Sequence, residues 1–237
     1  MLFPELYRKE INSMRPSKEF MMGLFRRIFG TSKQKVFVIG FHKTGTSSMG
    51  KALQIVGFRV CGSLKEGYDY SKQQIPFLDY LMVKAKRLLL EYDAFQDTPW
   101  FLLYKHLYEQ YPSARFILTI RDEISWIQSI QNHFGKDHFP YHLYIYGDVD
   151  SFRNQRKFIE VYRNHNQEVI EFFKDKKEQL LVFDLSEEDN QWDVLCNFLD
   201  ISKPIYKFPH ANKSGDRKNF LSRIKKWLKK SYYSKCV

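Results

Sequence analysis

The chain has 237 residues, 43% of them hydrophobic and 17% aromatic. That suffices for one α/β domain with a substantial core, excludes disorder as the default state, and leaves too little length for two ordinary domains. The net charge of +11 calls for an anionic partner (nucleic acid, a membrane surface, a polyanionic glycan or a highly charged cofactor), and charge alone does not choose among them.

Cys61, Cys196 and Cys236 are odd in number and widely spaced, which gives neither a disulfide framework nor a metal-ligand cluster and favours a reducing compartment. Residues 1–34 read as an N-terminal helical lead-in with Pro4 and Pro16. Within it, Phe20 to Phe29 carries Arg26 and Arg27 and makes a poor signal peptide. No apolar run approaches the roughly 20 residues of a membrane span. A soluble, cytoplasmic protein is expected.

The first firm element is Lys35-Val-Phe-Val-Ile-Gly40, a continuous apolar run suited to a central parallel strand. It opens into Gly40-Phe41-His42-Lys43-Thr44-Gly45-Thr46-Ser47-Ser48, where two glycines bracket four residues and a helix begins at Thr46. Such a turn aims successive backbone N–H groups at an anion on the helix N-terminus. A nucleoside-triphosphate loop carries lysine directly after its second glycine. Here Thr46 stands in that place and the lysine, Lys43, lies inside the loop, which disfavours ATP or GTP hydrolysis.

Gly57 is placed to stop the helix, and Phe58 to Cys61 suits a short second strand. Apolar residues from Phe77 to Leu88 recur at three- and four-residue intervals and predict a helix over 75–92. Ala94 to Asp97 is a short strand candidate ending before Pro99, and a helix from Trp100 to Tyr111 is closed by Pro112. Arg115 to Ile120 is a second buried strand, followed by Arg121-Asp122 and a helix to Phe134. A His- and Tyr-rich loop is expected over 135–149, then a long helix from Ser151 to Lys174, a strand at Leu180–Phe183 and a helix from Trp192 to Leu199. This alternation predicts a parallel sheet covered on both faces, without internal repeats.

The loop around Lys43 resembles the 5′-phosphosulfate loop of sulfotransferases that use 3′-phosphoadenosine-5′-phosphosulfate (PAPS), which reads approximately P-K-[ST]-G-T-[TS]. His42 stands where that pattern often has proline. The resemblance implies an α/β three-layer sandwich with a central parallel sheet of the P-loop NTPase-like kind. It also implies a sulfotransferase domain over 35–213 and transfer of a sulfuryl group from PAPS to a hydroxyl or amine, with PAP as product.

On the same resemblance, Lys43, Thr44, Gly45, Thr46, Ser47 and Ser48 would hold the 5′ side of PAPS. Arg121, with Ser129 eight residues later, would hold the 3′-phosphate, helped by Arg217 and Lys218. The glycine that follows such an Arg-Lys pair in cytosolic relatives is here Asn219. The segment Phe208-Pro-His-Ala-Asn-Lys213 matches the closing Pro-x-x-Asn of a small soluble group. Asp97, in Asp97-Thr98-Pro99, matches the strand-end position of the catalytic base, and a cap for the Trp100 helix is the competing reading. As base it would need its pKa raised by burial. His42 is the alternative base. Lys43 would also stabilise charge on the leaving oxygen, and no metal is implied.

His106, His133, His138, His142 and His165 show no metal-ligand pairing and read as surface or packing residues. Phe134, Phe139, Tyr141, Tyr144 and Tyr146 could line a pocket for an acceptor that is a glycan, a lipid or a small molecule. The basic C-terminal tail, 214–237, suits contact with an anionic membrane, and nucleic acid is not expected. Two rival readings remain open at this point, a P-loop nucleotide kinase or NTPase and a non-enzymatic anion-binding module using the tail.

Overall fold

The computed structural model describes residues 34–65, 70, 75–135, 141–186 and 190–211. The elements are β1 (Val36–Val38), α1 (Thr46–Ile55), β2 (Val60–Cys61), α2 (Phe77–Glu91), β3 (Ala94–Phe95), a 3₁₀ turn (Trp100–Leu103) running into α3 (Tyr104–Gln110), and β4 (Arg115–Ile120). They continue as α4 (Glu123–Phe134), α5 (His142–Tyr146), α6 (Gln155–Phe172), β5 (Leu180–Asp184) and α7 (Gln191–Leu199).

All five strands pair in parallel, in the order β2-β3-β1-β4-β5. Successive side chains of a strand face opposite ways, and the two cores divide accordingly. Phe37, Ile39, Phe116 and Leu118 enter a core with α2, α3, α4, α5 and α6. Val36, Val38 and Ile117 enter a second one with α1 and α7. Burial on both faces explains why β1 reads as an unbroken apolar run; the parallel sheet covered on both faces that the alternation predicts, and the three-layer α/β sandwich that the resemblance implies, are the observed fold.

Helix ends follow the local chemistry. Gly57 has φ +102°, and its N–H reaches Gln54 O while that of Phe58 reaches Leu53 O. This left-handed stop ends α1 as the sequence predicts. Asp122 caps α4 by accepting from Ser125 N at 2.8 Å.

Two expectations are corrected. The loop expected over 135–149 contains helix α5, because the pairs Tyr141/Ile145 and His142/Tyr146, four residues apart, are buried together on one face. The helix expected from Ser151 begins instead at Gln155, since the Asp150 carboxylate accepts from the N–H groups of Phe152 and Arg153 and holds a turn there. The lead-in 1–33 and the tail from 212 lie outside the described residues. Among the described residues no helix is long and apolar enough to cross a membrane.

Candidate active site

The central strands β3, β1 and β4 are neighbours, and the chain turns back between them: β1 leads outward to β2, returns at β3, then crosses to β4. Ligands of open α/β sheets bind outside the carboxyl ends of strands at such a switch point. Three segments leave those ends side by side. They are the Gly40–Gly45 loop after β1, Asp97-Thr98 after β3, and Arg121 after β4.

The loop is pressed against the sheet. A Cβ on Gly40 would stand 2.1 Å from Thr119 Oγ1 and 2.2 Å from Thr119 O, so a side chain there has no room. Gly45, at φ +100°, turns the chain into α1, whose first N–H groups lack helical partners and face the loop. Lys43 also takes a left-handed φ of 70°. Thr44 is turned inward: its hydroxyl donates to Phe41 O at 2.6 Å and lies 2.6 Å from Thr119 Oγ1. It therefore braces the loop from beneath, whereas Lys43, Gly45, Thr46, Ser47 and Ser48 line the open cleft above.

Arg121 is held by its backbone. The Tyr162 hydroxyl accepts from Arg121 N at 2.9 Å and donates to Arg121 O at 2.8 Å. The Tyr162 ring stacks on Trp126 at 4.3 Å and 10°, and Trp126 Nε1 donates to His42 O at 3.0 Å. The Arg121 guanidinium reaches Lys43 O at 3.4 Å, with Ser129 on α4 lining the same cleft. Tyr162 and Trp126 escaped the sequence reading because each resembles an ordinary core aromatic.

Asp97 also has a left-handed φ, 77°, a conformation that Asp and Asn bear better than most residues. Lys43, Asp97 and Asp200 are the non-glycine residues of positive φ among those described; Asp200 ends α7, and the other two face the cleft. Asp97 Oδ1 accepts from Thr98 N at 2.9 Å and stands 3.4 Å from Thr98 Oγ1. The competing cap is not formed by this side chain: the Trp100 turn has no side-chain cap, and Trp100 N donates to the Asp97 carbonyl instead. Burial pushes the Asp97 carboxyl above the usual aspartate value, while the Thr98 hydrogen bonds and the Lys43 charge pull the other way.

His42 is 3% exposed. Its Nδ1 lies 3.0 Å from Thr98 Oγ1 and its Nε2 lies 2.7 Å from the Tyr146 hydroxyl. Burial first, then the charges of His142, Lys43 and His133, hold its pKa well below the usual imidazole value. His165 is a packing residue: it stacks on Phe41 at 4.6 Å, its Nε2 bonds to Ile39 O at 2.8 Å, and burial lowers its pKa to about 4.

The cleft encloses about 360 Å³, within the range of small-molecule sites. Ser63, Lys65, His133, Phe134 and Ala211 complete its walls and were not anticipated as wall residues, apart from Phe134. Of the other aromatics expected near an acceptor, Tyr141 and Tyr146 are buried in the core, Tyr144 stacks on Phe77 at 4.4 Å, and Phe139 lies outside the described residues. Ser48 Oγ accepts from Ala211 N at 2.9 Å, which brings the segment after Phe208 to the start of α1. Asn212, Arg217 and Lys218 lie outside the described residues. Among the described residues no cluster of His, Cys, Asp and Glu could hold a metal ion.

A family model described as a sulfotransferase domain matches residues 35–150 and 141–217. The chain is also similar to the protein named Ava biosynthesis cluster protein M of Aspergillus versicolor, at 24% identity, with 74% of this chain and 80% of that protein covered.

Proposed function

Because the chain belongs to the sulfotransferase domain family, we propose that it moves a sulfuryl group from PAPS to a hydroxyl or amine acceptor. The observation that carries this reading is the convergence of the Lys43 loop, Asp97 and Arg121 at the carboxyl ends of three adjacent strands around one cleft.

In this reading Lys43 and the N–H groups that open α1 receive the 5′-phosphosulfate, and Thr46, Ser47 and Ser48 add hydroxyls. Arg121 and Ser129 receive the 3′-phosphate, where a planar guanidinium can offer two donors at once. Fit is supported by the shape of the loop. The missing Cβ at Gly40 lets the turn lie on β4, and left-handed Lys43 and Gly45 open the concavity in which backbone donors converge on an anion.

Asp97 takes the proton of the acceptor as its oxygen or nitrogen bonds to sulfur. The bond from sulfur to the bridging oxygen breaks, and Lys43 offsets the charge that grows on that oxygen as PAP departs. A burial-raised carboxyl is the better base for this purpose, since its proton affinity is nearer that of the attacking group. In the same reading the acceptor approaches along Ser63, Lys65, His133 and Phe134, which also line the cleft.

Calorimetric titration with PAP tests the assignment. Charge-assisted hydrogen bonds contribute about 1.5–3 kcal/mol each, so Lys43→Ala and Arg121→Ala should each weaken PAP by roughly 10- to 100-fold. Unchanged affinity in both variants would refute the site. Thermal stabilisation by ATP–Mg²⁺ but not by PAP would assign the cleft to a nucleoside triphosphate instead.

A further inference from the structure

At the floor of the cleft four side chains form one line of polar atoms. Asp97 Oδ1 stands 3.4 Å from Thr98 Oγ1, which stands 3.0 Å from His42 Nδ1, and His42 Nε2 stands 2.7 Å from the Tyr146 hydroxyl. The line reaches from β3 through the β1 loop to α5, so residues 97 and 146 meet through a histidine that lies far from both in sequence.

Two proton orders fit such a line. In the first, the Tyr146 hydroxyl donates to Nε2, the Nδ1–H donates to Thr98 Oγ1, and the Thr98 hydroxyl donates to Asp97 Oδ1. In the second, Nε2–H donates to the Tyr146 oxygen and the Thr98 hydroxyl donates to Nδ1. The Asp97 carboxylate then loses its bond from Thr98 Oγ1, and the phenol proton turns away from His42. Tyr146 is 1% exposed and packed among the rings of Phe158, Phe41 and His142. Its hydroxyl has His42 Nε2 as its hydrogen-bond partner among the described residues, so the reversed proton would have no acceptor there. Burying a donor without a partner is costly. The first order spends every donor and delivers the last one to the carboxylate, where it does most for a negative charge.

We propose that Tyr146 is a positioning residue for the base: its phenol sets the tautomer of His42, which directs the Thr98 hydroxyl proton onto Asp97 Oδ1. Oδ2 stays outside the line and is left for the acceptor. The catalytic consequence rests on the reading of Asp97 as base; the tautomer does not. His42 must stay neutral for the order to hold. It faces Lys43 of its own loop, His133 of α4 and His142 of α5, which disfavour an imidazolium in addition to its burial. Asp97 faces Lys43. A hydrogen bond donated to a carboxylate stabilises its charged form and lowers its pKa. The line therefore opposes the upward push of burial and keeps Asp97 ionised over a wider pH range.

The test uses the whole chain. In ¹⁵N spectra the His42 ring of the wild type should show a protonated Nδ1 and an unprotonated Nε2, and Tyr146→Phe should exchange the two. Tyr146→Phe and Thr98→Val should each move the acid limb of kcat upward by about 0.5–1 pH unit, less than the roughly 1–2 units of a full hydrogen bond to a charged group because Thr98 Oγ1 and Asp97 Oδ1 are 3.4 Å apart. The KM for PAPS should stay within about twofold, because the two cradles for the donor are untouched. The double variant should move the limb no further than either single one, since both cut the same line.

A wild-type ring protonated at Nε2 overturns the proposal. So does an acid limb that neither variant moves. If Tyr146→Phe fails to fold, the wild-type spectrum and the Thr98→Val limb still decide. Full activity of Asp97→Asn would sink the assignment of the base while leaving the His42 tautomer to be judged by the spectrum alone.

Discussion

Tyr162→Phe separates holding Arg121 in place from merely filling the core. The ring that stacks on Trp126 is retained, and so is nearly all of the side-chain volume. Two hydrogen bonds disappear, the one accepted from Arg121 N at 2.9 Å and the one donated to Arg121 O at 2.8 Å. A net contribution of about 0.5–1.5 kcal/mol for each gives a loss of roughly 1–3 kcal/mol. At about 2–4 °C per kcal/mol for a chain of this size, the melting temperature should fall by roughly 2–12 °C. Freed of its clamp, the Arg121 peptide no longer fixes where the guanidinium begins. PAP affinity should therefore drop to a level between those of the wild type and Arg121→Ala, about 3- to 10-fold below the wild type. Calorimetry with PAP, run beside thermal melting, reads both effects. The KM for PAPS should rise while kcat at saturation stays within about twofold. A variant that melts lower but binds PAP as tightly as the wild type would refute the link from Tyr162 to the anion site.

Asp97→Asn should keep PAP affinity and lose about 10²–10⁴-fold in kcat. It should also melt no lower than the wild type at neutral pH. A carboxyl whose folded pKa is raised, as burial raises Asp97, adds stability at low pH, and that stability is lost as pH rises through the folded value; the amide removes this loss. A low-melting Asn variant would make its lost turnover uninformative about proton transfer and would contradict the burial reading. In the wild type the acid limb of kcat should lie above the ordinary aspartate value, and a limb at or below that value would argue that another group is the base. Gly40→Ala should destabilise by at least about 1–3 kcal/mol, because the added methyl meets a backbone carbonyl and a short side chain rather than a flexible one. Urea denaturation with an unchanged midpoint would show that the loop does not lie on β4 as described.

The fold was legible because its signals are local. Val36 to Val38 and Phe116 to Leu118 are buried on both faces and so read as unbroken apolar runs, while Gly57 marks a helix end by the conformation that it alone adopts cheaply. Helix α5 was missed because only five residues form it, and its burial comes from i,i+4 pairs too few to establish a period. Lys43, Asp97 and Arg121, assigned to the site by the family resemblance, all lie in segments that follow a strand, and the structure brings them to one cleft. Thr44 shows the limit of that method. Its place in the motif suggests a ligand-facing hydroxyl, yet its side chain is spent on Phe41 and Thr119, and only the sheet register brings Thr119 beneath it.

What sequence spacing does not disclose is how the two halves of the cleft are tied together. Trp126 donates to the loop at His42 O and stacks on Tyr162, and Tyr162 clamps the backbone of Arg121. A buried aromatic pair therefore links the Lys43 loop to the backbone of Arg121, whose guanidinium also reaches Lys43 O directly at 3.4 Å. Close-packed interiors resist displacement of such pairs, because a shift of even a fraction of an ångström forfeits contact on one side. On the proposed reading, the relative placement of the two anion sites depends on the core between α4 and α6 as well as on the contact of Arg121 with the loop. A ligand that is charged at both ends and of matching length gains from both cradles without distorting either. One charged at a single end leaves the other set of donors to water. If the cleft takes the doubly anionic nucleotide proposed for it, Trp126 and Tyr162 contribute to that selectivity by holding the loop and the Arg121 backbone in register.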